Sequence, residues 1–177
     1  MKGVVIYTSK YGATAQYAKW IGAAVKLPVI KAGDFVSSTQ SEYDFVVLGS
    51  SVYVGRLFMK KWLRKNRSWL LNKKVFLFVV SGTPLDQKDK LESYISGSLP
   101  REAINKTDIH FMPGRLEPKK LSWLDHLIII MGARLQESSE ARNQMLTGYN
   151  RVHHEHIMDL VDAVTTFQMK SQQKISA

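Results

Sequence analysis

The amino-terminal stretch of the chain most constrains its fold. Residues 4–7 form an apolar, strand-like run that leads directly into a loop of hydroxyl side chains and one glycine, residues 8–14. Apolar side chains then recur at helical spacing from residue 13 to 26. A buried strand that ends in such a loop, just before a helix amino terminus, offers free backbone N–H groups and the helix dipole to an anion. The sequence therefore predicts a strand–loop–helix unit that holds a phosphate group.

The loop lacks two phosphate-binding motifs. Neither the GxxxxGK[ST] pattern of nucleoside-triphosphate enzymes nor the GxGxxG pattern of dinucleotide-binding folds occurs there. A single monophosphate fits better, because Ser9 and Thr14 can supply hydroxyl groups and Gly12 allows close approach or a positive φ. An ordinary turn rich in serine and threonine is the alternative interpretation.

Length and composition favour one globular domain. The chain has 177 residues, 45% of them apolar, and residues 1–170 are predicted to form the domain, with 171–177 as a polar, frayed tail. Cysteine is absent, which excludes disulfides, thiol nucleophiles and iron–sulfur ligation. The start of the chain has no signal-peptide pattern, and no apolar run is long enough to span a bilayer.

The net charge of +10 points to anionic partners, whether nucleic acid, acidic lipid or a carboxylate-bearing substrate. No recognised nucleic-acid-binding motif accompanies the charge, so nucleic acid is not predicted as a partner. Five cations lie on one side of the segment after Tyr53. They form either a solvated face or, with Lys73 and Lys74, a surface that binds acidic lipid. These five are Lys60, Lys61, Arg64, Lys65 and Arg67.

No metal site is predicted. His153, His154 and His156 are close in sequence, but helix neighbours do not face one point. They are interpreted as exposed side chains near a helix start.

Strand and helix patterns alternate along the chain, which predicts an α/β fold with a doubly wound, five-stranded parallel sheet. The predicted strands are 4–7, 29–30, 45–49, 75–80 and 109–112. The predicted helices are 13–26, 55–68, 87–98 and 154–169, with 34–43 as a loop or single turn. In such folds the ligand lies beyond the carboxyl ends of the strands, so the loops after the first, third and fourth strands are the candidate site.

An insertion of about 40 residues, 114–151, separates the fifth strand from the last helix. Its central segment is a short helix that is apolar around most of its circumference, so it needs a cover of protein or lipid. Lys119 and Lys120 precede this helix and Arg134 lies near its end, which suits a helix in a headgroup interface. A cap over the ligand pocket and a contact between identical chains stay open as alternatives. Asp125 and His126, inside the apolar run, are expected to face water or substrate.

The amino-terminal residues resemble the signature of flavodoxins, whose loop holds the phosphate of FMN. The matching positions are Val5, Ile6, Tyr7, Ser9, Gly12, Thr14, Ala18 and Ile21. The resemblance implies FMN as the cofactor, with the loops after the third and fourth strands beside its ring and Tyr53 as an aromatic platform. The fourth-strand loop has no aromatic residue, which is expected to leave one ring face open. The cofactor-binding residues predicted in this way are Thr8, Ser9, Lys10, Tyr11, Gly12, Ala13, Thr14, Ser50, Ser51, Val52, Tyr53, Val54, Gly55, Ser81, Gly82 and Thr83.

Within that superfamily the chain resembles the bacterial quinone-dependent protoporphyrinogen oxidases. The matching segments are 8–14, with a lysine inside the phosphate loop, 49–55, and 113–116 leading to Trp123, Leu124 and Asp125. Residues 81–83 and the acidic stretch 137–140 depart from that pattern.

This second resemblance implies oxidation of protoporphyrinogen IX to protoporphyrin IX in haem synthesis, with a membrane quinone as acceptor. It also implies a cytoplasmic protein held peripherally on the inner face of an acidic bacterial membrane. Arg56, Arg115, Lys119 and Lys120 are candidate partners of the substrate propionates, and no catalytic base is nominated. A flavodoxin-like electron carrier and an NAD(P)H:quinone reductase are the alternatives, and a homo-oligomer stays open.

Overall fold

The structure is a computed structural model that describes residues 1–136 and 138–175. It contains eight strands and eight helices, with short 3-10 helices at Ser37–Glu42, Pro118–Lys120 and His154–Ile157. The strands are β1 (Gly3–Tyr7), β2 (Val29–Lys31), β3 (Phe45–Tyr53), β4 (Arg56–Leu57), β5 (Lys74–Ser81), β6 (Thr107–Pro113), β7 (Arg115–Leu116) and β8 (Tyr149–Asn150). The helices are α1 (Ala13–Ala24), α2 (Lys60–Lys65), α3 (Arg67–Leu70), α4 (Lys88–Ser96), α5 (Arg101–Ile104), α6 (Trp123–Arg134), α7 (Ser139–Thr147) and α8 (Met158–Ile175).

Five parallel strands form the predicted sheet, in the order β2-β1-β3-β5-β6. The chain leaves β1 toward β2 on one side and returns to place β3 on the other, so the strand order reverses between β1 and β3. A crevice therefore opens beyond the carboxyl ends of these two strands, where doubly wound sheets bind their ligands. The predicted α/β fold is confirmed.

The core has two layers because successive strand residues face opposite sides of the sheet. Val5, Val47 and Phe76 pack under α1 and α8 on one face. Their neighbours in sequence, among them Ile6 and Leu48, pack under α2 and α4 on the other face. Burial on both faces explains why these strands read as continuous apolar runs rather than alternating ones.

The helix predicted over residues 55–68 is wrong at its start. The chain turns back through Val54 (φ 46°) and Gly55 (φ 70°), and β4 pairs antiparallel with the end of β3. Positive φ at both central residues is the geometry of a tight hairpin turn, which glycine favours and valine does not. The helical part follows as α2 and α3, which meet at Asn66, whose side-chain amide donates to the Trp62 carbonyl oxygen.

The insertion contains more structure than the one predicted helix. After β6 the chain forms α6 and α7, which lie between the paired short strands β7 and β8. Glu137, part of the acidic stretch noted in the sequence, lies outside the described residues. The last helix was expected to end at residue 169 and the tail to fray, but α8 extends to Ile175, and 176–177 also lie outside the described residues. Within the described part of the chain, no helix combines the length and apolar character needed to cross a membrane.

Candidate functional site: a phosphate loop under an insertion helix

The first loop joins β1 to α1 at the switch point of the sheet. The Thr8 N–H donates to the Gly49 carbonyl oxygen at 2.9 Å, which ties the start of the loop to β3. Gly12 then takes a φ of 91°, and its N–H donates to Ser9 Oγ at 3.1 Å. A residue with a Cβ is strained at this φ, so glycine lets the loop close into the helix.

The amino terminus of α1 presents unpaired donors. Its first backbone hydrogen bond runs from Gln16 N to Gly12 O, so the N–H groups of the preceding turn have no helical acceptor, and no side chain caps the helix. Thr14 lies in that turn with 1% of its surface exposed, and its Oγ1 atom is buried without a partner. Buried hydroxyl groups normally find a partner. These donors fit the phosphate group of FMN.

Two cations lie beside the loop. Arg115, from β7, places its guanidinium against Gly12, since a Cβ built on that glycine would be 3.5 Å from Arg115 Nη2. Its Nη1 donates to Gln16 Oε1 at 3.4 Å, and it forms an ion pair with Glu117. Lys10 supplies the second cation from inside the loop. Arg115 was predicted as a propionate partner, but its place beside Gly12 suits it to the phosphate group.

The second loop, at the end of β3, begins with a residue that supports the fold and continues with residues near Lys10. Ser50 is fully buried, and its hydroxyl accepts from the Met59 N–H at 3.1 Å, which anchors the start of α2. Tyr53 lies further on, with Lys10 Nζ 4.3 Å from its ring centroid. The exposed, β-branched Val54 is held at positive φ, an uncommon and strained conformation.

The third loop, after β5, contains no aromatic residue, but two tyrosines from other elements lie beside it. That one ring face of FMN stays open there remains a prediction. Tyr149, from β8, lies so close that a Cβ on Gly82 would overlap its hydroxyl. Tyr94, from α4, shares a 2.9 Å hydrogen bond with Thr83 Oγ1. Arg151 packs over the Tyr149 ring at 4.8 Å. Burial raises the pKa of the Tyr149 hydroxyl, although the Arg151 charge opposes this.

Asp125 on α6 connects the insertion to two of these loops. Its Oδ1 accepts from the Tyr53 hydroxyl at 2.7 Å, and its Oδ2 pairs with Lys10 Nζ at 2.6 Å and accepts from the Tyr11 hydroxyl. Tyr11 also accepts from the Ser122 N–H, and the Ser122 hydroxyl accepts from Asp125 N, so the start of α6 is capped at the same place. The carboxylate is thus the centre of a four-residue cluster.

The electrostatics of this cluster favour a charged pair. Burial acts to raise the pKa of Asp125, which is 4% exposed, but the hydrogen bonds from Lys10, Tyr11 and Tyr53 outweigh it and lower the pKa to about 2. The hydrogen bond to Asp125 raises the pKa of Lys10, although burial opposes the rise. The insertion is therefore held on the loops by a fully ionised contact at neutral pH.

The three loops and the insertion enclose one cavity of about 420 Å³, within the range usual for small-molecule sites. Four cations line it (Lys10, Lys90, Arg115 and Arg151) against one carboxylate, Asp125, among the described residues. Since Asp125 is already paired with Lys10, the cavity carries an excess of positive charge.

Twelve of the sixteen predicted cofactor-binding residues line this cavity, and Thr8, Gly12, Ser50 and Gly55 do not. The role of all sixteen in binding stays a prediction. Of the four predicted propionate partners, only Arg115 lies here, and Arg56, Lys119 and Lys120 are exposed. The sequence prediction did not include Lys90, Tyr94, Tyr149 or Arg151. The sequence pointed to these residues only through their position. Lys90 and Tyr94 lie in the helix after β5, and Tyr149 and Arg151 lie at the end of the insertion.

A doubly wound parallel sheet, with a loop of free donors before a helix amino terminus at its switch point, defines the class of protein. The chain belongs to the flavodoxin family, since the family model described as a flavodoxin domain matches residues 4–143. The predicted superfamily is confirmed. Family membership and the donors around Thr14 together support FMN as the cofactor.

Solved structures with this fold are distant in sequence. A flavodoxin from the domain Archaea is 16% identical, with 82% of this chain and 94% of the other covered and a TM-score of 0.42. The Trp repressor binding protein from Bacillus subtilis is 14% identical, with 82% and 96% covered and a TM-score of 0.46. A flavoprotein in complex with FMN from Lactobacillus acidophilus is 16% identical, with 63% and 91% covered and a TM-score of 0.44. Comparison with curated protein sequences found no match.

Replacing Thr14 by valine tests the phosphate site with two opposite effects. T14V removes a hydroxyl group that has no partner in the protein, so the cofactor-free variant is expected to be more stable to urea by about 1 kcal/mol. Its FMN affinity is expected to fall about tenfold, because a hydrogen bond to a charged phosphate is lost. Fluorescence titration with FMN measures the second effect. T39V, at a partly buried threonine that does not line the cavity, should leave the affinity unchanged, and an equal loss there would contradict the assignment.

Replacing Asp125 by asparagine should loosen α6. The lowered pKa corresponds to about 2 kcal/mol of stabilisation of the charged carboxylate, reduced by solvent on the Lys10 side. We therefore expect amide exchange across α6 to rise about tenfold in D125N, measured by mass spectrometry. D162N, at an exposed carboxylate on α8, is the matched control and should change nothing in α6.

The pH dependence follows from the direction of the same pKa. A carboxylate whose pKa is lowered on folding stabilises the protein above its ordinary value near 4, and this is lost as the pH falls toward 2. Exchange of α6 in the wild type, corrected for intrinsic rates, should rise over that window and approach the D125N rates. A wild-type profile that stays flat from pH 5 to 2 would show that the ionised contact does not hold the helix.

Proposed function

We propose that this protein is an FMN-dependent oxidoreductase that oxidises protoporphyrinogen IX to protoporphyrin IX, with a membrane quinone as electron acceptor. One observation carries the proposal: the cavity that fits a flavin also holds cations beyond those beside the phosphate loop. A flavin phosphate accounts for Arg115, next to Gly12. Lys90 and Arg151 lie elsewhere on the wall, from α4 and from the end of the insertion. A substrate with two carboxylates matches these two remaining charges.

The residues of the chain have separate tasks in this reaction. When bound, FMN would accept two electrons at a time. Conversion of the porphyrinogen to the porphyrin removes six electrons and six protons, so it would take three flavin cycles, each ended by transfer of two electrons to one quinone. The α1 turn and Arg115 hold its phosphate, and Tyr53 and Tyr149 line the cavity with aromatic surface. Arg151, packed over the Tyr149 ring, orients the substrate through a propionate, and Lys90 takes the other. The Asp125 contact keeps α6 over the cavity, which limits access of water.

Peripheral membrane association is the second part of the proposal. The face of α6 that turns away from the cavity carries exposed apolar side chains at helical spacing, Leu124, Leu127, Met131 and the following Leu135, which is 83% exposed. Trp123, at the start of the helix, is 71% exposed. We name these five residues the apolar stripe. Lys119, Lys120 and Arg134 flank it, which is the composition of a helix that lies in an acidic headgroup layer. A membrane there would place the cavity close to dissolved quinone.

Anaerobic mixing tests the activity. FMN-loaded protein mixed with protoporphyrinogen IX should lose its oxidised-flavin absorbance. Adding quinone should restore it, and an excess of at least three quinones per porphyrinogen should release fluorescent protoporphyrin. Arg151→Gln should raise the KM for the porphyrinogen more than it lowers kcat, since the lost contact is a binding contact. Bleaching by NADPH but not by the porphyrinogen would instead favour a quinone reductase. Bleaching by neither would favour an electron carrier.

Vesicle binding tests the membrane association. Replacing Leu127 and Met131 of the apolar stripe by serine should weaken binding to acidic vesicles at least tenfold, because burying each side chain contributes about 1.5–3 kcal/mol. The matched control replaces Leu85 and Met169, which have similar exposure elsewhere on the surface. Flotation at low salt measures both. If the wild type stays in solution with acidic vesicles, this part of the proposal fails while the activity test still stands.

A further inference from the structure

A second cavity lies at the opposite end of the sheet from the flavin site. It opens near the amino ends of β5 and β6, between the short helices α3 and α5, and has a volume of about 250 Å³. It shares no lining residue with the first cavity. Neither the phosphate loop nor the insertion reaches it, so the proposed oxidation does not account for it.

The floor of this cavity is apolar. Leu48, Val75 and Leu77 of the sheet form its base, and Leu63, Leu70 and Leu99 form its walls. The buried members of this set belong to the core layer under α2 and α4. The cavity is thus a gap in the packing on that face of the sheet, open to the surface rather than filled by a side chain.

The rim of the cavity is cationic. Five basic side chains, Lys60, Arg64, Arg67, Lys73 and Lys106, are among its lining residues, and none of the described lining residues is acidic. Arg67 pairs at 3.6 Å with Glu102, which links α3 to α5 beside the opening. Lys60 Nζ donates to the Gly97 carbonyl oxygen at 2.7 Å, so its ammonium is held near the mouth. No described carboxylate pairs with Arg64, Lys73 or Lys106.

An apolar gap under a ring of cations has the chemistry of a site for an anionic amphiphile. We propose that this cavity binds a fatty acid, with its alkyl chain on the leucine floor and its carboxylate among the rim cations. At about 30 Å³ for each water-sized group, the volume holds about eight methylene groups, and the rest of a longer chain can leave through the opening. The two chains of a phospholipid exceed this volume, and a cationic amphiphile would be repelled.

This site does not depend on the flavin. The core layer that forms its floor is present whether or not a cofactor binds, and the rim cations belong to α2, α3 and the segments before β5 and β6. Fatty-acid binding and oxidoreductase activity can therefore be tested, and can fail, separately.

Calorimetric titration of the FMN-loaded, full-length protein with decanoate, below its micelle concentration, tests the proposal. Saturable binding of one decanoate per chain is expected. Decyltrimethylammonium, which has the same chain with the opposite charge, should not bind, and butyrate should bind much more weakly because it lacks the chain. Equal binding of the cationic amphiphile would overturn the assignment.

Two variants locate the site. Ala103→Phe fills the cavity from α5 and should abolish decanoate binding. Lys60→Gln with Arg64→Gln removes two rim charges one helical turn apart and should weaken binding about fivefold, since partly exposed ion pairs each contribute modestly. Lys61→Gln with Lys65→Gln makes the same change on the same helix, at residues that do not line the cavity. This control pair should bind decanoate as the wild type does.

The outcomes separate the competing explanations. Equal weakening in both glutamine pairs would show that decanoate responds to overall charge, and would overturn the site. If A103F does not fold, as judged by its melting temperature, the comparison of the two glutamine pairs still tests where decanoate binds.

Acidic vesicles distinguish a free fatty acid from a membrane lipid: A103F should bind them like the wild type. If A103F instead loses vesicle binding, the cavity takes a lipid chain from the bilayer, and the assignment to a free fatty acid is wrong.

Discussion

The contact between the Asp125 carboxylate and the residues Lys10, Tyr11 and Tyr53 joins the two halves of this structure. The flavodoxin sheet determines where the first and second loops lie, and the insertion is a separate piece of chain that must be positioned over them. A buried carboxylate is unfavourable unless it is paired and hydrogen-bonded. Asp125 meets that condition only where the three partners converge. The charge of Asp125 is unfavourable wherever it would be buried without a partner. The helix α6 therefore lies where that charge is paired, above the cavity.

Charge also organises the rest of the cavity. A helix amino terminus attracts an anion within about one turn, and Thr14 and Arg115 lie within that distance of the α1 start. Lys10 belongs to the same loop, yet its ammonium is turned toward Asp125 and Tyr53 rather than left for a ligand. Lys10 thus holds the insertion, while the donors at the α1 start and Arg115 remain on the side of the loop proposed to bind the phosphate. The contacts with Lys10, Tyr11 and Tyr53 keep Asp125 ionised although burial opposes its charge.

The sequence predicted the parts of the structure that depend on local pattern. Continuous apolar runs such as 45–49 identified the buried strands, and the glycine at position 12 indicated a loop that needs either close backbone approach or a positive φ. The failures occurred where distant residues decide. Val54 is β-branched, and its positive φ is imposed by the pairing of β4 with β3, so no local preference favoured a hairpin there. Tyr149 and Arg151 follow the third loop by nearly 70 residues. The β7–β8 pairing and the backbone hydrogen bonds of Gly114 with Ser81 and Arg151 bring them beside it. Asp125 stood out as a charge in an apolar run, but its partners were not predictable without the fold.

The two faces of α6 link the cavity to the surface. Asp125 points into the cluster, while Leu127 and Met131 of the apolar stripe face outward on the same 12-residue helix. Because the Asp125 carboxylate is held by Lys10 and by the hydroxyls of Tyr11 and Tyr53, the cluster fixes the rotation of α6 about its own axis. That rotation in turn determines which side chains of α6 face away from the cavity. A single buried carboxylate therefore determines both where the insertion lies and which apolar surface it exposes.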